Sequence, residues 1–395
     1  MARTYTSKNS RIFHNISFNK SEEELMVNNR NRRFSAVSQN GYLIRKVPED
    51  QQEENLCIVA VLQNGMALRY IINQTLDICL AAVAQNGAAF QYVKEEFRTP
   101  EIYRIALSSC GKMLHHISPK DQTEEMCMLA VKENPYNLRY VSKRLLKDVT
   151  IKTVTNDGFA IKYIPVPNAD DEDEFRFYME LVKLSVKQNG MALKFIPKEY
   201  QTPSVCKAAI KNNPEAFQYV VNQTLDICMY AVKVDGKLIK NVAEKYKAKC
   251  SLTAVKQNWR CFEDVVQSRA VCLAAVEQYG MLLEYVNPEF VDEDMCLAAV
   301  KQTGFALPFV PTQTEAICLE AVRKDGTAIK FCDKSFVTDE LKMIAVKSDP
   351  YAIRYIKNPS EKLCKIAMRG NVGSMNFINP EILQTVINNL IENSD

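Results

Sequence analysis

Cys79-Leu80-Ala81-Ala82-Val83-Ala84-Gln85-Asn86-Gly87-Ala88-Ala89-Phe90-Gln91-Tyr92-Val93 decides the fold, because the stretch before it repeats the pattern. That stretch reads Cys57-Ile58-Val59-Ala60-Val61-Leu62-Gln63-Asn64-Gly65-Met66-Ala67-Leu68-Arg69-Tyr70-Ile71. Self-similarity at a short fixed period marks a stacked array in which each unit buries its apolar face only against its neighbours. Taking the second residue of the Ala-Val pair as origin, fifteen units follow, at Val37, Val61, Val83, Leu107, Val131, Val154, Val186, Ile210, Val232, Val255, Val276, Val300, Val322, Val346 and Met368. Thirteen of the fourteen steps are 21 to 24 residues long, and the step from Val154 to Val186 is 32. That longer step holds an insertion around residues 166–177 with the acidic run Asp170-Asp171-Glu172-Asp173-Glu174, expected as a solvated loop.

Each unit reads as two short helices. Small or apolar residues four, three and one before the origin share a helical face with it. Thr99-Pro100-Glu101, Thr123-Glu124-Glu125, Thr202-Pro203 and Thr338-Asp339-Glu340 are start signals for this first helix. Three residues after the origin stands Asn or Asp in twelve of the fifteen units, and the next position is Gly in ten of the fifteen and Pro in three. A helix-ending Gly with positive φ could not be exchanged for Pro. Asx capping a second helix, with Gly or Pro at its first position, explains both choices. This second helix is too short to persist alone, so stacking must stabilise it.

The expected fold is therefore all-α, an α-solenoid of about fifteen short two-helix repeats over residues 21–379. Pro380 to Leu390 reads as an amphipathic helix closing the stack, within a capping segment at 380–395. Residues 1–20 carry Arg3, Lys8, Arg11 and Lys20 without an acid and read as a frayed basic arm. There is no run of 18 apolar residues for a membrane span and no apolar leader core, so an intracellular, cytoplasmic protein is expected.

Nine of the thirteen cysteines occupy one slot, four residues before the origin. Equivalent slots in stacked helices lie roughly 9–10 Å apart, too far for a disulfide or a shared tetrahedral metal. They read as small buried apolar residues in a reducing compartment. Cys110, Cys250, Cys261 and Cys332 sit in other slots singly. His14, His115 and His116 are the only histidines, and the adjacent pair points apart on a helix with no third ligand near. No phosphate loop, His-Glu-x-x-His or nucleophile elbow occurs, so no catalytic, metal or cofactor residue is assigned and no enzyme is expected.

Two rows of cations remain. One residue after the origin, late in the first helix, stand Lys132, Lys187, Lys211, Lys233 and five more bases. Eight residues after the origin, on the second helix, stand Arg45, Arg69, Arg139, Lys162, Lys194, Lys240, Lys330 and Arg354. With a net charge of only +3, acids are segregated to the linkers. Beside the second row an aromatic occupies slot nine in eleven units, among them Tyr70, Tyr92, Tyr140, Tyr163, Phe195 and Tyr355. Charge beside aromatics suits a single-stranded nucleic acid, but free exchange of Phe and Tyr beside a Val or Ile reads as inter-repeat core. Cations late in a helix also favour its C-terminal dipole.

The unit Cys-Leu-x-Ala-Val-x-x-Asn-Gly-x-Ala-Leu-x-Tyr-Val resembles a short tandem repeat family of unknown function, frequent in large DNA viruses of protists and found in some bacterial and protist proteins. The resemblance covers roughly residues 30–380, resting on Ala82-Val83, Asn86-Gly87 and Tyr92-Val93 and their equivalents, and is weakest at Trp259–Val265 and Val372–Ile378. It implies an all-helical array in a virus-infected cytoplasm or a virion, with no catalytic residues to carry over. The expected function is a non-enzymatic scaffold mediating protein–protein interaction. Self-association as a structural component of a virion or inclusion, and nucleic-acid binding along the basic rows, are the alternatives.

Overall fold

A computed structural model describes residues 29–167 and 171–392; the basic arm expected at residues 1–20 lies outside the described residues. All regular structure among the described residues is helical. The chain divides into two compact units at Ile196/Pro197. The first holds seven repeats and the second holds eight, followed by the α-helix Pro380–Glu392.

Every repeat contains an α-helix and then a six-residue 3-10 helix, for example Leu76–Gln85 and Gly87–Tyr92. The α-helix is ten residues long in twelve of the fifteen repeats. Its start follows the sequence signals: Thr75 Oγ1 accepts the N–H of Ile78, and Thr99, Thr123, Thr202 and Thr338 act likewise. The buried face carries the slots four and one before the origin and the origin itself, as with Cys79, Ala82 and Val83. The array is thus an α-solenoid repeat in each compact unit.

The second helix is a 3-10 helix throughout. In so short a segment, i→i+3 bonding closes one more hydrogen bond than i→i+4 would. Its Asx cap is double-ended: the N–H of Asn86 ends the α-helix on Ala82 O, while Asn86 Oδ1 receives the N–H of Ala88 at 3.0 Å. No described glycine has positive φ. The reason for glycine lies instead in the next repeat. A Cβ on Gly65 would lie 2.3 Å from the carbonyl oxygen of Ala82, so the 3-10 helix starts directly against the neighbouring α-helix backbone.

Glutamines in two slots hold many of the repeats together. Gln85 Oε1 accepts the Gly65 N–H from the preceding repeat at 2.6 Å, and Gln63, Gln188, Gln257 and Gln302 serve Gly41, Gly158, Gly236 and Gly280 in the same way. Proline has no N–H to give. After the three repeats with Pro135, Pro214 and Pro350, the glutamine slot holds Asn156, Val234 and Gly370. A second glutamine, nine residues before the origin, bonds the backbone of the following linker. Gln74 Nε2 donates to Tyr92 O at 2.8 Å and its Oε1 accepts the Lys94 N–H at 3.0 Å. Gln122, Gln223, Gln267 and Gln313 repeat this clamp, and the slot cysteine five residues on donates to the same glutamine, as Cys79 does to Gln74.

The acidic insertion departs from the loop expected of it. Asp171 caps a seventeen-residue α-helix, Glu172–Gln188, by accepting the N–H groups of Asp173 and Glu174. Negative charge in a first turn complements the helix dipole, so the acids start a helix that is lengthened backwards rather than filling a loop.

Candidate interaction surface

Both basic rows are solvent-exposed, and they occupy different elements. Lys132, Lys187, Lys211 and Lys233 end their α-helices. The depression near Lys301, of about 470 Å³, is lined by α-helix positions only: Glu277, Asp294, Leu297, Ala298, Lys301 and Gln302. By contrast, a depression of about 360 Å³ between the first two rungs of the second row is lined by Arg45, Arg69 and the tyrosines Tyr42, Tyr70 and Tyr92, among others, with no α-helix residue. These two depressions are thus lined by different elements, and acids line the one at Lys301 but not the one at Arg45 and Arg69.

The aromatic slot lies at the margin of the core rather than inside it, with Tyr70, Tyr92 and Tyr140 packed against the buried cluster. None of the eleven slot-nine rings is buried; Tyr163, Tyr285, Tyr355 and Phe377 are exposed and the others half-buried. With three residues per turn, slots four and seven turn inward, slots five and eight eclipse on the outer face, and slot nine is left at the rim. The rings do link neighbouring repeats, but on the surface. Slot five of one repeat meets slot nine of the next edge-to-face: Tyr42 with Tyr70, Tyr136 with Tyr163, Phe159 with Phe195, Phe305 with Phe331 and Tyr351 with Phe377, centroids 5.8 to 6.4 Å apart.

Second-row cations lie on these rings. Arg139 sits over Tyr136 and Tyr140 at 4.2 and 4.5 Å and donates to both hydroxyls. Lys162 lies 5.4 Å from the Tyr163 centroid, Lys330 4.5 Å from Phe331, and Arg354 4.8 Å from Phe377. Lys194 lies over Phe195 and Arg69 over Tyr70. Among the described residues, Arg45, Arg69, Lys162, Lys240, Lys330 and Arg354 are in no ion pair, whereas Arg323 of the first row pairs with Glu320 at 2.9 Å. Rings thus position second-row charges without neutralising them.

The two compact units differ along this face. In the first seven repeats, slots five, eight and nine contain no acid at all, and His115 and His116 continue the row with centroids 3.8 Å apart. His115 Nδ1 is 2.6 Å from Lys112 O. Burial, then the His115 ring and the cations Arg98 and Lys112, hold His116 below the ordinary histidine range. In the second compact unit, Glu215, Glu263, Asp264 and Glu284 interrupt the same slots. There also Trp259, in the Gly slot, stacks on Tyr279, in the next Asx slot, at 4.4 Å and 14°, with Arg260 4.7 Å from the indole. Two departures from the pattern are thus one contact.

The lengthened helices Lys143–Asn156 and Glu172–Gln188 border a further groove of about 550 Å³, walled by Leu146, Val166, Phe177 and Leu181 and rimmed by Arg139 and Lys147. The groove is signalled in the sequence by the 32-residue step from Val154 to Val186 and not by the basic rows.

The slot cysteines are free and buried. Burial pushes the thiols of Cys57, Cys79, Cys127, Cys206, Cys228 and Cys261 up to about 11. Cys332 donates to Ala328 O at 3.9 Å and Cys318 to Gln313 Oε1 at 3.3 Å. Among the described residues no cluster of three or more His, Cys, Asp or Glu side chains could hold a metal, and no helix is long and apolar enough to cross a membrane.

Residues 75–121, 123–168, 178–223, 268–313 and 315–359 match a family described as "Domain of unknown function (DUF4116)". Each match spans two of the repeats defined above, and the unmatched stretch 224–267 includes Trp259. No curated protein matches the chain. With five tandem copies covering more than half of its length, the chain belongs to the DUF4116 family.

Proposed function

We propose that the protein is a non-enzymatic repeat scaffold that binds an acidic polypeptide along the outer face of the 3-10 helices between residues 41 and 195. The observation that carries this reading is the acid-free face of the first seven repeats, whose cations rest on aromatic rings. Such charges are held in place before a partner arrives, which lowers the ordering cost of binding. Thirteen free thiols fit a reducing compartment.

Nucleic acid is the weaker reading. Base stacking needs open ring faces, and here neighbouring rings and cations already occupy them. Self-association, which a particle or inclusion component would need, has one observation in its favour: the exposed acidic turn at Asp171–Glu174 could meet the basic face of another copy.

Fluorescence anisotropy with labelled poly-L-glutamate tests the reading. Saturable binding that is lost when Arg69, Arg139 and Lys162 are changed to Glu supports it. Tighter binding of oligo-dT through the same residues, or no effect of the substitutions, overturns it.

A further inference from the structure

The spacing of the rungs restricts the shape of the partner. Each repeat contributes one outward slot-eight residue, and consecutive repeats are in direct backbone contact, as between Gly65 and Ala82. Helices packed this closely stand about 8–10 Å apart. A polyproline II segment completes one turn of three residues in about 9 Å, so every third side chain would return to the same face at the rung spacing. An α-helix returns to the same face only every seventh residue, about 10.5 Å along its axis, and drifts out of step with the rungs, while a compact acidic loop spans too few of them.

We propose that the acid-free face takes an extended, polyproline II-like peptide carrying a carboxylate at every third residue. This rests on the function proposed above and specifies its ligand. Charge complementarity selects the acid: Arg45 and Arg69 share one depression, while Arg139 and Lys162 are fixed over Tyr136, Tyr140 and Tyr163. Intervening prolines of the peptide pack against the exposed edges of the rim rings, such as Tyr42 and Tyr163, without needing an open ring face. The two arginines of the first depression, with five donors each in a planar fork, accept carboxylates bidentately. Gln91 and His115 occupy the middle rungs and tolerate a polar residue in place of an acid.

The test compares two labelled peptides of identical composition with the full-length protein. One repeats Glu-Pro-Pro, and the other collects its glutamates in clusters separated by proline runs. Simultaneous engagement of several rungs should give the periodic peptide about tenfold or greater advantage. Arg45→Gln with Arg69→Gln should remove most of that advantage while circular dichroism shows the fold intact. Equal affinity of the two peptides overturns the periodic ligand, and leaves the acidic-partner reading standing if poly-L-glutamate still binds. Failure of both peptides together with poly-L-glutamate overturns both.

Discussion

The carboxamide of Gln85 receives the N–H of Gly65, and the same glycine lies against the Ala82 carbonyl with no room for a Cβ. One repeat is thereby locked to the next through backbone groups, and stability should be most sensitive there.

Gly65→Ala should destabilise the protein by about 1–3 kcal/mol, the usual cost of overpacking, because the obstacle is a backbone oxygen. Gly373→Ala should cost clearly less, since the nearest atom, 2.9 Å away, is the flexible Tyr351 hydroxyl. Urea midpoints for the two variants check this, and equal shifts would contradict the packing argument.

Pro214 and Val234 should behave as a matched pair. Replacing proline by glycine creates an N–H, and Val234→Gln supplies its acceptor, so the double variant should be more stable than the two single effects predict. A coupling of about 0.5–3 kcal/mol in a double-mutant cycle is expected. Strict additivity would show that the glutamine slot is not read by the preceding N–H.

Gln122 is only 2% exposed and bonds Ile117 O, Tyr140 O and the Ser142 N–H. Gln122→Leu leaves these groups unsatisfied, at about 1–3 kcal/mol each. Thermal denaturation should show a much larger loss than for Gln91→Leu, whose amide bonds only Ala88 O.

Trp259 and Tyr279 should be coupled by about 0.5–1.5 kcal/mol beyond their buried area. Restoring the repeat pattern with Trp259→Gly and Tyr279→Asn together should be less damaging than either change alone. Denaturation of the three variants decides it.

Stability should fall at alkaline pH. The slot thiols of Cys57, Cys79, Cys127, Cys206 and Cys228 are raised by burial above their unfolded values, so their protonated form favours the native state. That contribution is complete below the unfolded thiol pKa, near 9, and is lost as the pH rises towards about 11. Unfolding midpoints measured from pH 8 to 11 should decline through this window, with a smaller decline for a variant carrying Ala at Cys57, Cys79 and Cys127.

Much of this architecture was legible in the sequence, because slots filled alike in fifteen copies report their own environment. Asn86 and its equivalents announced the cap between two helices, and the exchange of Gly for Pro correctly excluded a positive φ. What the spacing could not convey was the winding of the second helix. Free exchange of Phe and Tyr beside a Val or Ile places Tyr92 and Tyr163 in the core; wound at three residues per turn, they reach the rim of the 3-10 helices. Gln74 and Gln122 carry no signal in the sequence for a related reason. A polar residue in a linker looks solvated, yet these carboxamides clamp the backbone at the start of the following linker. The acids at Asp171–Glu174 misled because composition marks them as soluble, whereas their place in a first turn made them helix-forming.

The most direct test of the account is hydrogen exchange with and without saturating poly-L-glutamate. Protection should concentrate on the 3-10 helices between residues 41 and 195, strongest at Gly65–Tyr70 and Pro135–Tyr140, with little change at the α-helix ends that carry Lys132, Lys211 and Lys233. Protection centred on those α-helix ends, or spread evenly over both compact units, would contradict it.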